Sequence, residues 1–419
     1  MSAQSSILRR HPDFRRLWLA RAVSLAGSTV SREAIPYTAI LTLAASPLQM
    51  GLLGATATAP ALLLGLFVGV WVDRFRRRRL MIAADLVRTA LIVTIPVAWL
   101  LGHLTIGQLF VVAALTGVLT VAFDVSSAAL VPSLLAPGEL LEANSALGVS
   151  ESVAEIVGPP AGGGLVQFIG GPLTLLLDAV SFVFSAVTLR GVRDDEAPST
   201  RSETSHFWPD LTSGLRVIRA DRRLLALAAG SAHRSFFGWF FGAVYALYAI
   251  RVVGTGTAIL GVTVALGGVG ALVGALVVRR VTARIGIGPS IVVGAVVASS
   301  SMLLIWLAGS TPLVLGIVLL MMSQLIGDSA ETVASIGETT LRQTITAGPL
   351  LGRVTASMTV LGTGVGTLGM LAGGILGEWL GLTATVAIAA LGSLSGCLWL
   401  VASPLPTTVA LPEAGAATD

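Results

Sequence analysis

The stretch GVWVDRFRRRR, residues 69–79, ends an apolar run that begins near residue 48 and closes it with a cluster of arginines. An uninterrupted apolar run of about 20 residues or more spans the roughly 30 Å hydrocarbon core of a bilayer as an α-helix. Arginines gathered directly after such a run predict that this end of the helix faces the cytoplasm. The stretch therefore indicates a membrane-spanning helix and gives its direction.

The same pattern recurs along the whole chain of 419 residues, of which 54% are hydrophobic and 11% charged. The mean hydropathy of +0.87 lies far outside the range of soluble domains. The apolar runs are continuous, whereas the strands of a membrane β-barrel alternate over about ten residues. We therefore expect an all-α membrane protein. Twelve transmembrane helices are predicted near residues 17–43, 48–72, 80–101, 106–130, 146–169, 173–189, 224–250, 258–278, 287–307, 312–336, 354–376 and 382–401.

The distribution of arginine predicts the topology. All 26 basic residues are arginines, and nearly all lie in segments on one side of the predicted spans. Only Arg251 falls in a loop on the other side, while Arg21, Arg32, Arg88 and Arg234 lie within spans. By the positive-inside rule both termini are cytoplasmic, and the chain is a multi-pass protein of the bacterial inner membrane.

The longest hydrophilic stretch, residues 190–223, divides the chain into two halves. We predict two pseudo-symmetric six-helix bundles, at residues 1–190 and 224–403, joined by a cytoplasmic linker at 191–223 and followed by a disordered cytoplasmic tail at 404–419. From Phe207 to Arg223 the linker places apolar and basic residues at helical spacing, which predicts an interfacial helix.

The two halves also echo each other in sequence. GVWVDR at residues 69–74 and GALVVR at residues 274–279 close the second span of each half. Such internal repetition is typical of two-bundle transporters, whose substrate site lies between the bundles near the middle of the membrane.

Residues 69–79 resemble the signature that joins spans two and three in the major facilitator superfamily. Arg76 departs from that signature, since many members have glycine there. By resemblance, the acid of this loop faces the start of span eleven near Arg353 and latches the cytoplasmic side shut, because an acid beside a helix N-terminus is favourable. A role in topology alone is the alternative. The residues that fit this gating loop are Gly69, Asp73, Arg74, Arg77 and Arg78.

AEIVGPPAGG, residues 154–163 in span five, resembles the antiporter motif of drug and metabolite exporters within that superfamily. Its Gly158 and Pro159 predict a kink, because proline removes a hydrogen-bond donor. Gly162 and Gly163 let a neighbouring helix come close. A bent helix that merely packs well is the structural alternative.

Further similarity around residues 84–88, 123–132, 140–144 and 341–354 looks like the drug:proton antiporter branch, which contains macrolide efflux proteins and siderophore (enterobactin-type) exporters. The resemblance implies a proton-coupled exporter of a bulky amphipathic small molecule, such as a drug, macrolide, siderophore or natural product. It also implies alternating access, a monomer and no cofactor. An uptake symporter or a lipid or metabolite transporter on the same fold is the open alternative.

Acidic residues outnumber arginines within the predicted spans. A carboxylate without a partner is costly in a low dielectric, so the surplus acids predict either a water-filled cavity or a proton carrier. Asp85 and Arg88 lie at i and i+3 and are expected to pair. Glu155 is preferred to Glu151, one turn away, because it lies deeper; solvated acids at the cytoplasmic mouth are the alternative. The candidates for proton coupling are Glu155, Glu151, Asp328, Glu331 and Glu33.

Span seven concentrates aromatic residues, from Phe236 to Phe241, next to a histidine and an arginine. These side chains predict a pocket for a large substrate, although lipid-facing aromatics would give the same pattern. For Arg32 we expect a partner in the other half of the chain. The candidate pocket residues are Arg32, His233, Arg234, Phe237 and Trp239.

Other classes of protein lack support in the sequence. The chain has no lysine, which excludes a Walker A motif from this polypeptide, and it contains no HExxH zinc motif. We therefore expect no enzyme, no metal site and no nucleic-acid partner. The expected partners are the substrate, protons and the lipid bilayer.

Overall fold

Helices account for nearly all of the regular structure in the computed structural model, which describes residues 4–72, 76–193 and 207–409. No strand occurs among these residues. Two short 3₁₀ turns, Pro137–Glu139 and Leu405–Thr407, and a π-turn at Ala249–Val253 interrupt the series. The helices are α1 (Gln4–Arg10), α2 (Pro12–Leu41), α3 (Pro47–Val72), α4 (Arg77–Leu100), α5 (Ile106–Leu134), α6 (Leu140–Ile169), α7 (Gly171–Leu189), α8 (Phe207–Ala220), α9 (Arg222–Tyr248), α10 (Thr257–Ile285), α11 (Ile287–Ala308), α12 (Leu313–Ile345), α13 (Gly348–Leu380), α14 (Leu382–Gly396) and α15 (Leu398–Val401).

The helix boundaries fall within a few residues of the predicted spans, except where α6 and α13 begin earlier and α10 and α12 end later than predicted. Within the described ranges, nine helical segments are long and apolar enough to cross a membrane. The other three long helices, α2, α3 and α6, coincide with predicted spans one, two and five. The all-helical membrane fold is therefore confirmed, while the count of twelve spans stays a prediction.

Contacts along the chain group it into two compact units. Unit 1 consists of Met1–Ala45, Thr56–Thr204 and Gly256–Ala265, and unit 2 consists of Ser46–Ala55, Ser205–Thr255 and Leu266–Asp419. Each unit thus follows one half of the sequence and takes in a short segment from the other half. The division into two six-helix bundles remains a prediction at that level of detail.

The N-terminal helix α1 is attached to unit 1 by both packing and charge. Ile7 is buried in the core of the unit together with Phe14 of α2. Arg10 contacts Glu139 at 3.1 Å and Glu142 at 3.0 Å, and His11 contacts Glu139 at 3.0 Å. The hydrogen bond with His11 holds the pKa of Glu139 below its usual value, so this carboxylate stays ionised at neutral pH.

The predicted interfacial helix is α8, and it packs on unit 2 through Ile218, which is buried with Ala228 of α9 and Val354 of α13. We expected it to continue to Arg223, but α9 begins at Arg222 because Asp221 accepts hydrogen bonds from the backbone N–H groups of Arg223 and Leu224. Burial opposes ionisation of Asp221, yet the hydrogen bond from the Arg223 side chain, together with these backbone bonds and the Arg223 charge, outweighs it and lowers the pKa of the carboxyl.

The predicted disorder of the C-terminal tail does not hold for residues 404–409. Leu405 is fully buried, and the backbone N–H groups of Ile287 and Gly288 donate to the carbonyls of Val409 and Thr408. This segment therefore satisfies backbone N–H groups at the start of α11. Residues 410–419 lie outside the described part of the chain.

Candidate functional site

A polar cavity of about 340 Å³ lies inside unit 2, bounded by α9, α11, α12 and α14. One helix, α12, contributes Gln324, Asp328 and Glu331, which are spaced so that they share a face. The polar and aromatic residues that line it are Ser231, Arg234, Ser235, Trp239, Phe241, Ser299, Ser301, Ser323, Gln324, Asp328, Glu331 and Ser393.

Arg234 is the cation of this cavity. Its side chain is only 8% exposed, and Nη2 donates to Glu338 Oε1 at 2.8 Å. Glu331 Oε1 lies farther away, at 4.0 Å, and the Glu331 side chain is 51% exposed. A buried guanidinium requires a carboxylate partner, and Glu338 satisfies that requirement. The Glu331 carboxylate is therefore only weakly paired with Arg234 and is exposed mainly to the cavity.

Asp328 differs from the other acids of unit 2. Among the described residues, no side chain forms an ion pair or a hydrogen bond with its carboxylate. One of its oxygens instead packs against Gly267 of α10, where a Cβ atom would overlap it. A carboxylate held in a membrane helix without a cation is costly unless it takes up a proton or binds a cation from the cavity.

The two candidate acids of α6, which lie one turn apart, are each paired with an arginine of α2. Glu155 lies 2.6 Å from Arg32, and Glu151 lies 2.7 Å from Arg21. Both pairs lie within unit 1, so the expectation that Arg32 finds its partner in the other half is wrong. The Cβ atom of Glu33, the neighbour of Arg32, packs against Gly162 of α6.

The predicted pair between Asp85 and Arg88 is present and fully buried. The guanidinium also stacks on two aromatic rings, at 4.7 Å from the centroid of Phe123 and 4.3 Å from that of Phe182. Asp178, which is buried nearby, accepts a hydrogen bond from Ser181 at 3.2 Å. These acids have partners of their own and hold the core of unit 1 together.

The structure brings together only part of the predicted pocket. Arg234 and Trp239 line the cavity with the acids of α12. His233 faces the opposite side of α9, where its Nε2 lies 3.0 Å from Ser395 Oγ. Phe237 packs against Gly392 and forms an edge-to-face contact with Phe236, and Arg32 belongs to unit 1.

The glycines of the predicted antiporter motif serve close packing. Gly158 faces Thr29 of α2 with no room for a side chain, and Gly162 packs tightly against Val30 of the same helix. Gly163 meets the backbone of Thr257 in α10, whose hydroxyl donates to the Gly163 carbonyl at 2.9 Å. Helix α6 runs as one helix from Leu140 to Ile169, through Pro159.

The predicted gating loop is described only in part. Gly69 lies in α3, whereas Asp73 and Arg74 lie outside the described residues, and so does the predicted latch toward Arg353. The arginines that follow bind backbone carbonyls, since Arg77 donates to Ala129 at 3.0 Å and Arg78 donates to Val192 at 2.6 Å. These contacts join the start of α4 to α5 and to the end of α7.

One residue of the site and one ion pair escaped the reasoning from sequence. Gln324 lines the cavity one turn before Asp328, and Glu338 is the partner of Arg234. The sequence did contain a signal for both, because residues 324, 328, 331 and 338 share one face of a helix.

In the described ranges, no group of three or more His, Cys, Asp or Glu side chains could hold a metal ion.

Comparison with known proteins identifies the family to which this fold belongs. The family model of the Major Facilitator Superfamily matches residues 17–347. The multidrug efflux pump Tap of Mycobacterium tuberculosis is 29% identical over 412 residues, which cover 95% of this chain and 94% of that protein. Macrolide efflux protein A of Streptococcus pyogenes is 25% identical over 216 residues, covering 51% of this chain and 53% of that protein.

Solved structures share the fold at low sequence identity. A bacterial homologue of the iron transporter ferroportin, in an inward-facing state, superposes with a TM-score of 0.76 at 19% identity, covering 93% of this chain and 98% of that one. The nucleoside transporter NupG gives a TM-score of 0.71 at 12% identity, covering 93% and 98%. The chain therefore belongs to the Major Facilitator Superfamily and is a multi-pass transporter of the bacterial membrane.

Proposed function

We propose that this transporter is a proton-coupled exporter, an antiporter that moves a bulky amphipathic small molecule such as a drug, macrolide, siderophore or natural product by alternating access. The similarity to proteins named for multidrug and macrolide efflux supports the direction and the substrate class. The observation that supports proton coupling is the Asp328 carboxylate, which faces the cavity and pairs with no cation in the described part of the chain.

Asp328 would act through its charge. When it binds a proton, the carboxyl group becomes neutral and the electrostatic cost of holding it in the membrane falls. Because that cost depends on which groups and how much water surround it, protonation shifts the balance between two conformations of the transporter. A substrate that occupies the same cavity competes with the proton, so one leaves as the other enters.

The paired acids rank lower as proton carriers. For Glu155 or Glu151 to be protonated, an ion pair with Arg32 or Arg21 must be given up. Glu331 shares the cavity with Asp328 and is the next candidate, followed by Glu33. We therefore place Asp328 before Glu155, which reverses the preference drawn from the sequence.

The test uses purified protein in liposomes, with an imposed pH gradient and a panel of amphipathic compounds. An antiporter accumulates its substrate in liposomes with an acidic lumen, because the substrate enters as protons leave. We expect Asp328→Asn to lower this accumulation at least tenfold while substrate exchange without a gradient persists. Glu155→Gln should retain at least half of the wild-type accumulation, and Asp13→Asn, which changes an acid at the start of α2, should behave as wild type.

Two results would overturn this assignment. Undiminished coupling in Asp328→Asn would move the proton site to another residue. Accumulation driven only by external acid would show substrate and protons moving together, which would favour the uptake symporter on the same fold. The cytoplasmic location of both termini and the monomeric state are part of the proposal, as is the absence of any cofactor.

A further inference from the structure

A groove of about 920 Å³ lies on unit 2 between α9 and the α14–α15 segment, on the other side of α9 from the charged cavity. Leu225, Leu398 and Trp399 line it, and all three side chains are well exposed. In a membrane protein, exposed apolar side chains of a spanning helix face lipid. The groove is therefore open toward the acyl chains of the bilayer along its length.

The length of the groove matches one leaflet. It extends along α9 from Arg222, the first residue of the helix, to His233. At 1.5 Å per residue this is about 16 Å, roughly half of the 30 Å hydrocarbon core. One end thus lies at the membrane surface where α8 ends, and the other lies close to the middle of the membrane.

The surface end of the groove carries positive charge that no carboxylate of the described residues neutralises. Asp221 is already engaged, because it caps α9 and pairs with Arg223 at 2.9 Å. Among the described residues the Arg222 guanidinium has no ion pair or hydrogen bond, and it lines the groove. Arg216 and Arg219 of α8 are exposed nearby in the chain and add to the positive charge. Arginines at a membrane surface attract anionic lipid headgroups.

We propose that this groove binds an anionic phospholipid from the leaflet that borders α8. An acyl chain lies along Leu225, Leu398 and Trp399, and the phosphate meets the Arg222 guanidinium. A zwitterionic lipid would fill the apolar part equally well, but it brings no net charge to the unpaired arginine. The inference is independent of the proposed export activity, since it concerns the outer face of α9.

The test measures which lipid stays with the full-length protein. The protein is reconstituted in vesicles with equal amounts of phosphatidylglycerol and phosphatidylcholine, released into mild detergent and weighed by native mass spectrometry. We expect the wild type to retain phosphatidylglycerol in preference to phosphatidylcholine. Arg222→Gln should lower that preference about fivefold, the effect of one arginine at an anionic membrane surface. Arg222→Lys should keep most of it.

Two further variants separate the groove from general surface charge. Arg280→Gln removes an exposed arginine of α10 that does not line the groove, and it should leave the preference unchanged. Ala402→Trp places a large side chain in the groove and should lower retention of both lipids. Equal loss in Arg222→Gln and Arg280→Gln, or no preference in the wild type, would overturn the proposal, as would unchanged retention in Ala402→Trp. Gel filtration confirms that each variant is folded.

Discussion

At the scale of single residues, the charges of this transporter fall into two kinds. Arg88 illustrates the structural kind, because it is buried in the core of unit 1 against Asp85, Phe123 and Phe182. Asp328 illustrates the other kind, since no described side chain pairs with its carboxylate, which lies against Gly267 and lines the cavity. Burial alone does not separate these roles; the presence of a partner does.

The Asp85–Arg88 pair predicts a specific pattern of stability. Asp85→Leu leaves the guanidinium buried without its counter-charge, which costs about 3–5 kcal/mol of unfolding free energy. The double variant Asp85→Leu/Arg88→Met removes both charges and should recover most of that loss. Unfolding in detergent, followed by circular dichroism, measures both variants. A double variant as unstable as the single one would show that Arg88 contributes chiefly through its ring contacts.

Sequence reasoning succeeded where both partners lie on one helix and failed where they do not. Asp85 and Arg88 are three residues apart, so helix geometry alone brings them together. The partners of Arg32 and Arg234 lie on other helices, and the choice among several acids depends on how each helix is rotated about its axis. The hydropathy of a membrane-spanning segment does not determine how the helix is rotated about its axis.

At the scale of helices, glycine contacts recur in both units. Gly163 of α6 meets the backbone of α10 in unit 1. In unit 2, Gly51 of α3 meets Gly374 of α13, where a Cβ atom on Gly51 would lie 2.8 Å from the Gly374 Cα atom. These contacts let two helices approach backbone to backbone, which membrane proteins use where helices must pack without bulky side chains.

Adjacent glycines in α6 offer a matched test of this contact. Gly163 is blocked by Thr257, whereas Gly164 has open space where its Cβ would lie. We expect Gly163→Leu to lower the free energy of unfolding by about 1–3 kcal/mol, because the larger side chain forces α10 away. Gly164→Leu should stay close to the wild type. Similar melting temperatures for the two variants would show that α6 and α10 separate at no cost.

Helix positions were predictable because apolar length and breakers determine them. The tail at residues 404–409 was not, since a short stretch with two prolines has the composition of a disordered tail. Its order comes from burial of Leu405 and from hydrogen bonds to the start of α11, which are tertiary contacts. The composition of a segment reflects its local conformational preference, but it does not reveal contacts with residues that lie far away in the sequence.

At the scale of the whole molecule, the orientation in the membrane rests on arginine. The proposal that both termini are cytoplasmic predicts different labelling of two exposed sites, Arg9 before α2 and His103 between α4 and α5. Single cysteines are introduced at each site after replacing the buried Cys397 by serine. In intact cells a membrane-impermeant maleimide should label His103→Cys at least tenfold more than Arg9→Cys. The reverse pattern would invert the topology.

The exchange of short segments between the two units has a consequence for biosynthesis. Unit 1 includes Gly256–Ala265, which the ribosome produces only after the whole linker has been made. The first half of the polypeptide therefore enters the bilayer before Gly163 of α6 can meet α10, and Ser46–Ala55 lacks its contact with α13 until the end of the chain has been made. Unit 1 thus gains its last segment when the start of α10 is made, and unit 2 gains its own only with the final helices, so the order of translation sets the order in which the two units are completed.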